Sequence, residues 1–243
     1  MAKENAYRLL NAGERALVVE FGSTVDPGIN GQVLALDAAF VAARIEGVRE
    51  TVPTYRSLMI HYDPLVISRD KLVARIAEFE AAHPQAPKPQ ARWTFPCCYD
   101  PAIAEDIAEL AALVKLDVAE AARIHTSGAY RAYMYGFAPG YCYLGGLPRE
   151  LAVSRRATVR PPTPENAVLV GGGLSLVATF SMPTGWYVAG RTPERIFAPH
   201  RARPFLVDVG DELRFEAIDA QTFAALDLRA QQGETVARRE ALA

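Results

Sequence analysis

The sequence predicts an α+β protein in which a small N-terminal α/β sandwich of ββαββα order precedes a β-barrel domain. Strand and helix patterns alternate in the first third of the chain, a proline-rich segment follows, and short β-type runs separated by glycine and proline fill most of the rest. We therefore divide the 243 residues into an N-terminal α+β domain (1–83), a linker (84–90), a β-barrel domain (91–230) and a C-terminal tail (231–243).

The N-terminal domain is predicted as two strand–strand–helix units. The first has strands in YRLLNAG and RALVVEFG and a helix that begins at Asp26-Pro27 and ends near Gly47. Apolar residues recur every three or four positions on one face of this helix: Ile29, Val33, Leu36 and Phe40. The second unit has strands over 48–54 and 56–62. Its helix begins at Ser68 and has an apolar face of Leu72, Ile76 and Phe79.

The second half of the chain has the pattern of a β-barrel that follows a linker. HPQAPKPQ, residues 83–90, contains three prolines and no apolar periodicity, as an extended linker does. RWTFPCCY predicts a strand, Asp100-Pro101 a helix, and the capping box at Asp117 and Glu120 a second helix. Five later runs alternate with Gly/Pro turns and predict a closed or nearly closed barrel: AVLVGG, LSLVATF, GWYVAG, RPFLVDV and DELRFEAI.

Composition limits the classes of function. Half of the residues are hydrophobic and 22% are charged, which excludes wholesale disorder. A formal charge of −2 and a pI near 6.1 argue against general nucleic-acid binding. No apolar run approaches the ~20 residues that span a bilayer, and the start lacks the apolar core of a secretion signal. We therefore expect a cytoplasmic protein with no membrane partner.

The cysteines and histidines predict neither a disulfide nor a metal site. Cys97 and Cys98 are adjacent and would form a strained ring if bridged, so they and Cys142 are interpreted as reduced thiols. The four histidines show no zinc-type spacing with each other or with the cysteines. The run Gly171 to Gly173 lacks the features of a nucleotide phosphate loop and is interpreted as a turn or bulge.

The stretch from Arg131 to Pro164 is the main candidate for a functional region, since it combines glycine-proline turns, an aromatic row and arginines. We expect the turns formed by its glycines and by Pro139 and Pro148 to hold Tyr141 and Tyr143 in place. Several arginines could bind carboxylate or phosphate oxygens in a bidentate manner: Arg155, Arg156, Arg160 and the later Arg191. The structural alternatives are a tight barrel corner with stacked tyrosines and a solvated rim of arginines.

His125 is the candidate for proton transfer. It lies near the end of the helix that begins at Asp117, just before the glycine-rich stretch, and an imidazole titrates near neutrality. The negative helix end favours the protonated ring, which suits an anion contact or a general acid. A capping or buried structural histidine is an equally open interpretation.

Four segments resemble the KipI family, whose members are also known as the PxpB component of bacterial 5-oxoprolinase and as allophanate hydrolase subunit 1. They are IHTSGAYRAYMYGFAPGYCYLGGLP, SRRATVRPPTP, GWYVAGRTPERIF and VDVGDELRF, in the order and spacing of the family. The resemblance covers nearly the whole chain and implies that the barrel is cyclophilin-like. It also implies a partner of the KipA (PxpC) type and, in the oxoprolinase, a LamB/YcsF-type (PxpA) partner.

The resemblance implies a hydrolase component that opens the lactam of 5-oxoproline to glutamate at the expense of ATP, with Mg²⁺ as a possible companion of ATP and no prosthetic group. Its substrate would be a small amide or lactam, and the chain would be nearly inactive alone. Inhibition of a sensor histidine kinase, as by KipI, and carboxyl transfer, as in urea carboxylase, remain alternatives.

Carried over by position, the family pattern points to a set of site residues: His125, Gly136, Pro139, Gly140, Arg156, Arg160, Gly185 and Trp186. We expect His125 to be catalytic. We expect the substrate to be bound by Pro139, Gly140, Tyr141, Arg156, Arg160, Trp186 and Arg191.

The chain also departs from the family pattern. Leu174 stands at the position of a glutamine and cannot hydrogen-bond an amide. Ala178 and Thr179 replace a Tyr-Pro pair, and Cys142 and Thr184 replace a proline and a glycine of two turns. We expect the fold to be retained and leave open a change of substrate.

Overall fold

The structure is a computed structural model that describes residues 7–82 and 85–242. The predicted start of the N-terminal domain at residue 1, its end at residue 83, the linker start at residue 84 and the tail end at residue 243 lie outside the described residues. The chain divides into two compact units, residues 1–88 and 89–243, which are described separately.

The first unit is a four-stranded antiparallel sheet with two helices. Its elements are β1 (Arg8–Asn11), β2 (Ala16–Glu20), α1 (Pro27–Ala43), β3 (Val48–Pro53), β4 (Ser57–Tyr62) and α2 (Arg69–Ala81). The strand order is β1-β2-β4-β3, and both helices contribute to one apolar core. Its buried side chains include Leu17, Val33, Leu36, Phe40, Leu58, Ile60, Leu72 and Ile76. This confirms the predicted ββαββα order.

Local capping explains where the helices of this unit begin and end. The Asp26 carboxylate accepts hydrogen bonds from the amides of Gly28 and Ile29, and the Ser68 hydroxyl accepts one from the amide of Lys71. Helix α1 ends at Ala43, earlier than the predicted end near Gly47, because Arg44 adopts a left-handed conformation with φ of 44°.

The second unit is a closed β-barrel with helices packed against it. Its elements are β5 (Ala91–Cys98), α3 (Ile107–Leu113), α4 (Val118–Ser127), β6 (Tyr130–Tyr135), β7 (Cys142–Gly145), a 3-10 helix (Arg149–Leu151), β8 (Ala167–Gly171), β9 (Leu174–Val177), β10 (Tyr187–Arg191), β11 (Glu212–Ile218), α5 (Ala220–Gln231) and β12 (Arg238–Ala241). Seven strands follow the order β10-β8-β9-β7-β6-β11-β5, and β10 closes the ring by pairing with β5. The predicted barrel is thus confirmed.

Alternation along the strands produces two apolar layers in this unit. One face of each strand fills the barrel interior, where Trp93, Phe95, Tyr130, Val168, Val170, Leu213 and Phe215 are buried. The opposite face of β8, β9 and β10 carries a second buried cluster, here called the outer cluster: Tyr141, Ala167, Leu169, Leu176, Ala178, Trp186 and Val188. The outer cluster forms the base of the candidate site.

Two elements of the second unit differ from the sequence predictions. Residues after Asp100 form turns, stabilised by the Asp100 side chain, which accepts from the amide of Ala102, and α3 begins only at Ile107. The run RPFLVDV, predicted as a strand, contributes one isolated bridge, between Phe205 and Phe197. Pro204 lacks an N–H group with which to continue a ladder there.

The segment predicted as a tail, 231–243, is a structural part of the second unit in its described residues. It contains the last residue of α5 and the strand β12, which pairs antiparallel with β5 outside the closed ring. The side chains of β12 are all exposed, so its polar sequence is compatible with an edge strand held by backbone hydrogen bonds. Lack of apolar residues therefore does not indicate lack of structure here.

Candidate functional site

An open cleft of about 250 Å³ lies against the outer cluster and is the best candidate for a binding site. Its walls carry four aromatic side chains and one cation: Phe137, Tyr141, Tyr143, Trp186 and Arg155. The turn from Pro183 to Gly185 and the side chains of Val159 and Leu176 complete the lining. Aromatic walls with few polar groups are typical of sites for small planar ligands.

The aromatic walls of the cleft are held in defined positions. The rings of Tyr143 and Trp186 meet edge to face at 6.0 Å between centroids, and Phe137 lies 5.9 Å from Tyr141. The Tyr141 hydroxyl donates to the carbonyl oxygen of Phe180 at 2.8 Å, and burial raises the pKa of Tyr141 to about 12. Phe137 is 76% exposed and has a left-handed φ of 70°, a strained conformation that accumulates at binding sites.

Arg155 is the cation of this cleft. Its Cζ atom lies 5.3 Å from the centre of the Trp186 ring. Burial raises the pKa of the Tyr143 hydroxyl, and the nearby positive charge of Arg155 opposes that rise. Within residues 7–82 and 85–242, Arg155 forms no ion pair, and its side chain is exposed.

The neighbouring arginines Arg156 and Arg160 are neutralised away from the cleft. Arg156 binds Glu109, with Nη1–Oε1 at 2.9 Å, and Asp106, with Nη2–Oδ1 at 3.1 Å. Arg160 binds Asp106, with Nη1–Oδ2 at 2.6 Å, and also Glu105. Both side chains have the acidic partners that Arg155 lacks. Their guanidinium groups therefore anchor the chain and do not line the cleft, and their predicted contact with substrate stays a prediction.

The segment 152–164, here called the strap, carries these arginines along the cleft. Backbone hydrogen bonds join the amide of Arg156 to the carbonyl of Gly185 at 2.7 Å and the amide of Arg160 to the carbonyl of Thr184 at 2.9 Å. The carboxylate of Asp106 accepts from Arg160 and from the amide of Val188, so the strap and β10 share one anchor. The strap therefore presents Arg155 from a fixed backbone.

His125 lies in the barrel core and does not reach the cleft. It is 0% exposed, its Nδ1 atom lies 2.8 Å from the Tyr99 hydroxyl, and its ring is 4.9 Å from that of Phe215. Burial lowers the pKa of His125 to about 3, which is the reverse of the expected stabilisation by the helix end. The structure thus has His125 in the position of the alternative interpretation, a buried structural histidine, and its role in proton transfer stays a prediction.

The other predicted residues fall into two groups. Tyr141 and Trp186 line the cleft, whereas Pro139 and Gly140 shape the turn that leads into it. The Pro139 carbonyl accepts from the Thr179 hydroxyl, and a Cβ at Gly140 would lie 2.2 Å from Phe197. These two residues position the cleft and do not line it.

Arg191 and the departures from the family pattern also have defined positions. The Nε group of Arg191 donates to the Glu165 carbonyl at 3.0 Å, and Arg191 does not line the cleft, so its substrate contact stays a prediction. Leu174 packs against the outer cluster. The Thr184 hydroxyl accepts from the amide of Trp186, and Thr184 lines the cleft directly. Of the departures, Thr184 lines the cleft, Ala178 belongs to the outer cluster and Leu174 packs against that cluster.

Other reactive groups of the described chain lie outside the cleft. Cys97, Cys98 and Cys142 are free and buried, and burial raises the pKa of Cys97 and of Cys142 to about 12. In residues 7–82 and 85–242, no group of three His, Cys, Asp or Glu side chains could hold a metal ion. The same residues contain no helix of the length and apolarity that crossing a membrane requires.

A larger open groove of about 700 Å³ lies between the segment 195–201 and the end of α5. Two of its charged side chains are already paired, Arg195 with Asp227 and Glu234 with Arg229. The aromatic cleft is therefore the better candidate, because it combines flat apolar walls with an unneutralised cation.

Sequence reasoning missed part of this cleft. The sequence does not indicate Phe137, predicts Tyr143 only as a ring held by the turns, marks Thr184 only as a departure from the family pattern, and presents Arg155 as one of several arginines. The spacing of Arg155 and Arg156 does not distinguish them. The signal that does so is the acidic group at 105, 106 and 109, which neutralises one and not the other.

Comparison with known proteins agrees with this architecture. Residues 7–207 match the family model of the carboxyltransferase domain, subdomain C and D. The B-type subunit of 5-oxoprolinase from Bacillus subtilis (strain 168) is 29% identical over 230 residues, which cover 90% of this chain and 96% of that protein. The corresponding protein of Escherichia coli O157:H7 is 30% identical over 205 residues, or 84% and 92% of the two chains.

Solved structures show the same fold. The crystal structure of TTHA0988 has a TM-score of 0.76 at 31% identity and covers 84% of this chain, which spans 40% of TTHA0988. The Kluyveromyces lactis urea amidolyase has a TM-score of 0.80 over 97% of this chain and 16% of its own, at 16% identity, which shows the fold alone. Because of these matches in sequence and fold, the chain belongs to the PxpB (KipI) family of 5-oxoprolinase components, and its residues 7–207 match the model of subdomains C and D of the carboxyltransferase domain.

Proposed function

We propose that this chain is the B-type subunit of an ATP-dependent amidohydrolase that opens a lactam or urea-type amide, with the conversion of 5-oxoproline to glutamate as the reference reaction. The observation that carries the proposal is the similarity to the B-type subunit of Bacillus subtilis 5-oxoprolinase over 90% of this chain and 96% of the relative. The aromatic cleft supports it, since its size and flat walls fit a small planar amide.

The chain's own contribution would be to bind and orient the amide. Tyr143 and Trp186 can hold a flat ring, and Thr184 adds a hydroxyl at the rim. Among the described residues that line the cleft, none is suited to act as a general base at neutral pH, because the Tyr141 hydroxyl has a pKa of about 12 and His125 is buried elsewhere.

Activation of the amide therefore has to come from outside this chain. A resonance-stabilised amide opens when its oxygen is activated and its developing charge is stabilised. We propose that ATP provides the activation and that a KipA/PxpC-type subunit, together with a LamB/YcsF-type (PxpA) subunit, supplies the remaining groups. The chain alone would then be nearly inactive, and such an ATP-consuming complex would work in the cytoplasm.

The test is reconstitution of the complex. The chain is co-purified with its KipA-type and LamB/YcsF-type partners, and phosphate and glutamate release are measured with 5-oxoproline. We expect lactam-dependent release of both products by the complex and none by the chain alone. Trp186→Ala should lower the rate at least tenfold, whereas Arg239→Gln, in the exposed strand β12, should not. Phosphate release that is unaffected by any lactam or urea would contradict the proposal.

Leu174 offers a test of substrate choice within the same assay. If its packing against the outer cluster alters specificity, Leu174→Gln should raise the rate with 5-oxoproline relative to other small amides. A complex with the native Leu174 that hydrolyses 5-oxoproline at the full rate of the variant would show that specificity is unchanged.

A carboxyl-transfer component is the second candidate, favoured by the description of the matching family model. It predicts that a biotin carboxylase, and not the KipA-type and LamB/YcsF-type pair, restores activity. Reconstitution with carboxylated biotin and urea separates the two candidates, because transfer yields a carboxylated urea without opening of a lactam.

A further inference from the structure

Arg155 supplies the cleft with a charge that its aromatic walls cannot provide. Its guanidinium group lies 5.3 Å from the centre of the Trp186 ring and has no acidic partner in residues 7–82 and 85–242. The two arginines that follow on the strap each bind two carboxylates. Since the other residues that line the cleft carry no ionised group near neutrality, the cleft has a net positive charge.

The position of this charge is fixed by the strap. Backbone hydrogen bonds at Arg156 and Arg160 hold the segment to the adjacent turn at Thr184 and Gly185, which also lines the cleft. The Cζ atom of Arg155 lies over the Trp186 ring, where a cation is attracted by the ring face. The nitrogens of the guanidinium group remain available to a ligand. When a ligand binds, the backbone of the strap loses little conformational freedom.

We propose that Arg155 binds the carboxylate of a small cyclic amide whose ring lies against Trp186 and Tyr143, so that the cleft selects anionic amides over neutral ones. A carboxylate and a guanidinium group form short, charge-assisted hydrogen bonds with two-point geometry. A volume of about 250 Å³ accommodates a five-membered ring with one carboxylate. This inference deepens the proposed function and rests on it for the kind of ligand.

The two tryptophans allow a direct test on the full-length chain. Trp186 lies in the cleft, whereas Trp93 lies in the barrel core, where its indole N–H donates to Asp211. In a nitrogen-15 NMR spectrum, each gives one indole signal, which Trp186→Phe assigns. Three probes are titrated: 5-oxoproline, 2-pyrrolidinone, which lacks the carboxylate, and cyclopentanecarboxylate, which lacks the amide.

We expect both carboxylates to shift the Trp186 signal and to leave the Trp93 signal in place, with 5-oxoproline bound at least tenfold more tightly than 2-pyrrolidinone. Arg155→Gln should weaken binding of both carboxylates roughly ten- to hundredfold and leave 2-pyrrolidinone unchanged. Arg155→Lys should lose part of this affinity, since an ammonium group lacks the two-point geometry. Arg239→Gln is the matched control, because Arg239 lies 5.8 Å over the ring of Trp93.

Equal binding of the neutral and anionic lactams, no binding of either carboxylate, or undiminished binding to Arg155→Gln would overturn the inference. An unchanged Trp93 signal in Arg155→Gln and Arg155→Lys shows that the barrel is folded in these variants. The proposed function fails separately. If the chain binds carboxylates but the complex shows no lactam-dependent phosphate release, the proposed function is refuted and the role of Arg155 is retained. If the complex shows that release but the chain does not bind carboxylates, the role of Arg155 is refuted and the proposed function is retained.

Discussion

Asp106 is the residue on which the position of the strap depends. Its carboxylate accepts from the amide of Val188 and from the guanidinium groups of Arg156 and Arg160, and it is 9% exposed. One side chain therefore ties the strap to β10. Neighbouring Glu109 pairs with Arg156 and is about half exposed.

Asp106→Ala should destabilise the protein by about 2–4 kcal/mol, since it leaves the buried amide of Val188 without its acceptor and removes the more buried of the two carboxylates that bind each of two partly buried guanidinium groups. Glu109→Gln is the control and should cost less than about 1 kcal/mol, as exposed ion pairs do. Urea unfolding of the two variants measures the difference. Equal losses would mean that Asp106 is not the anchor of the strap.

His125 makes the stability of the barrel depend on pH. Burial lowers its pKa in the folded state to about 3, below the ordinary value of 6.5 in the unfolded chain. Below pH 6.5 the unfolded chain therefore binds a proton that the folded barrel does not, and stability is lost as pH falls. This contribution is fully present above pH 6.5.

In a variant His125→Phe, which keeps an aromatic ring beside Tyr130 and Phe215, this pH dependence should disappear. The native chain should lose up to about 1.4 kcal/mol per pH unit relative to the variant between pH 6 and pH 4. Parallel urea titrations at each pH compare the two, and groups shared by both chains cancel in the difference. Parallel pH profiles would show that His125 is protonated in the folded state.

At the level of elements, the turn that follows β7 depends on a glycine. Gly146 has φ of 92°, and a Cβ there would lie 2.1 Å from the carbonyl oxygen of Ala129. Gly173, in the turn between β8 and β9, has φ of 74° but nothing within 4 Å of its Cβ position. Substitutions at these two glycines therefore distinguish the loss of stability caused by a left-handed backbone from the loss caused by a steric clash.

Gly173→Ala should destabilise the protein by about 1–2 kcal/mol, the cost of the left-handed conformation alone. Gly146→Ala should lose about 3–5 kcal/mol, because a backbone oxygen must also move. Thermal and urea unfolding measure both. If the two variants lose equal stability, the turn after β7 accommodates a side chain by shifting.

The elements that the sequence predicts correctly have local signals. Capping by Asp26, Ser68 and Asp117 marks three helices, and alternation marks the barrel strands. Asp106, which immediately precedes α3, directs its carboxylate to the strap rather than to the first turn of its own helix. A contact with a residue 54 positions later leaves no trace in local periodicity.

The candidate site, too, is predictable where its signals are local and not where they depend on tertiary contacts. The aromatic row and the glycine-proline turns identify Tyr141, and the family pattern identifies Trp186, without any knowledge of contacts. The choice among arginines depends on which of them meet the acids at 105, 106 and 109, and the burial of His125 depends on rings from other elements. Charge pairing and burial depend on contacts between segments that are distant in sequence, so they cannot be predicted from the local sequence pattern.

On the scale of the whole molecule, the second unit depends on its last strand. Glu194 is 1% exposed, and its carboxylate accepts from the amides of Val236 and Ala237 at 2.6 and 2.7 Å. The segment that leads into β12 thus satisfies a buried charge in the barrel. The first unit has its own core and contains none of these residues.

Truncation after residue 234 should therefore destabilise the second unit by at least ~3 kcal/mol and leave the first unchanged. Hydrogen exchange measures each separately: amides of β8 should lose protection and those of β2 should keep it. Glu216→Gln, which removes only the exposed pair with Arg238, is the control. Loss of protection in both units would contradict their independence.

The register of β5 with β12 sets Ala91 directly opposite Ala241. The first and last strands of the barrel unit therefore begin and end side by side on one edge, although 150 residues of chain separate these two positions. Such a domain can be inserted between two segments of a longer polypeptide with short connections at both of its ends. TTHA0988, of which this chain spans 40%, accommodates the same architecture within a much longer polypeptide.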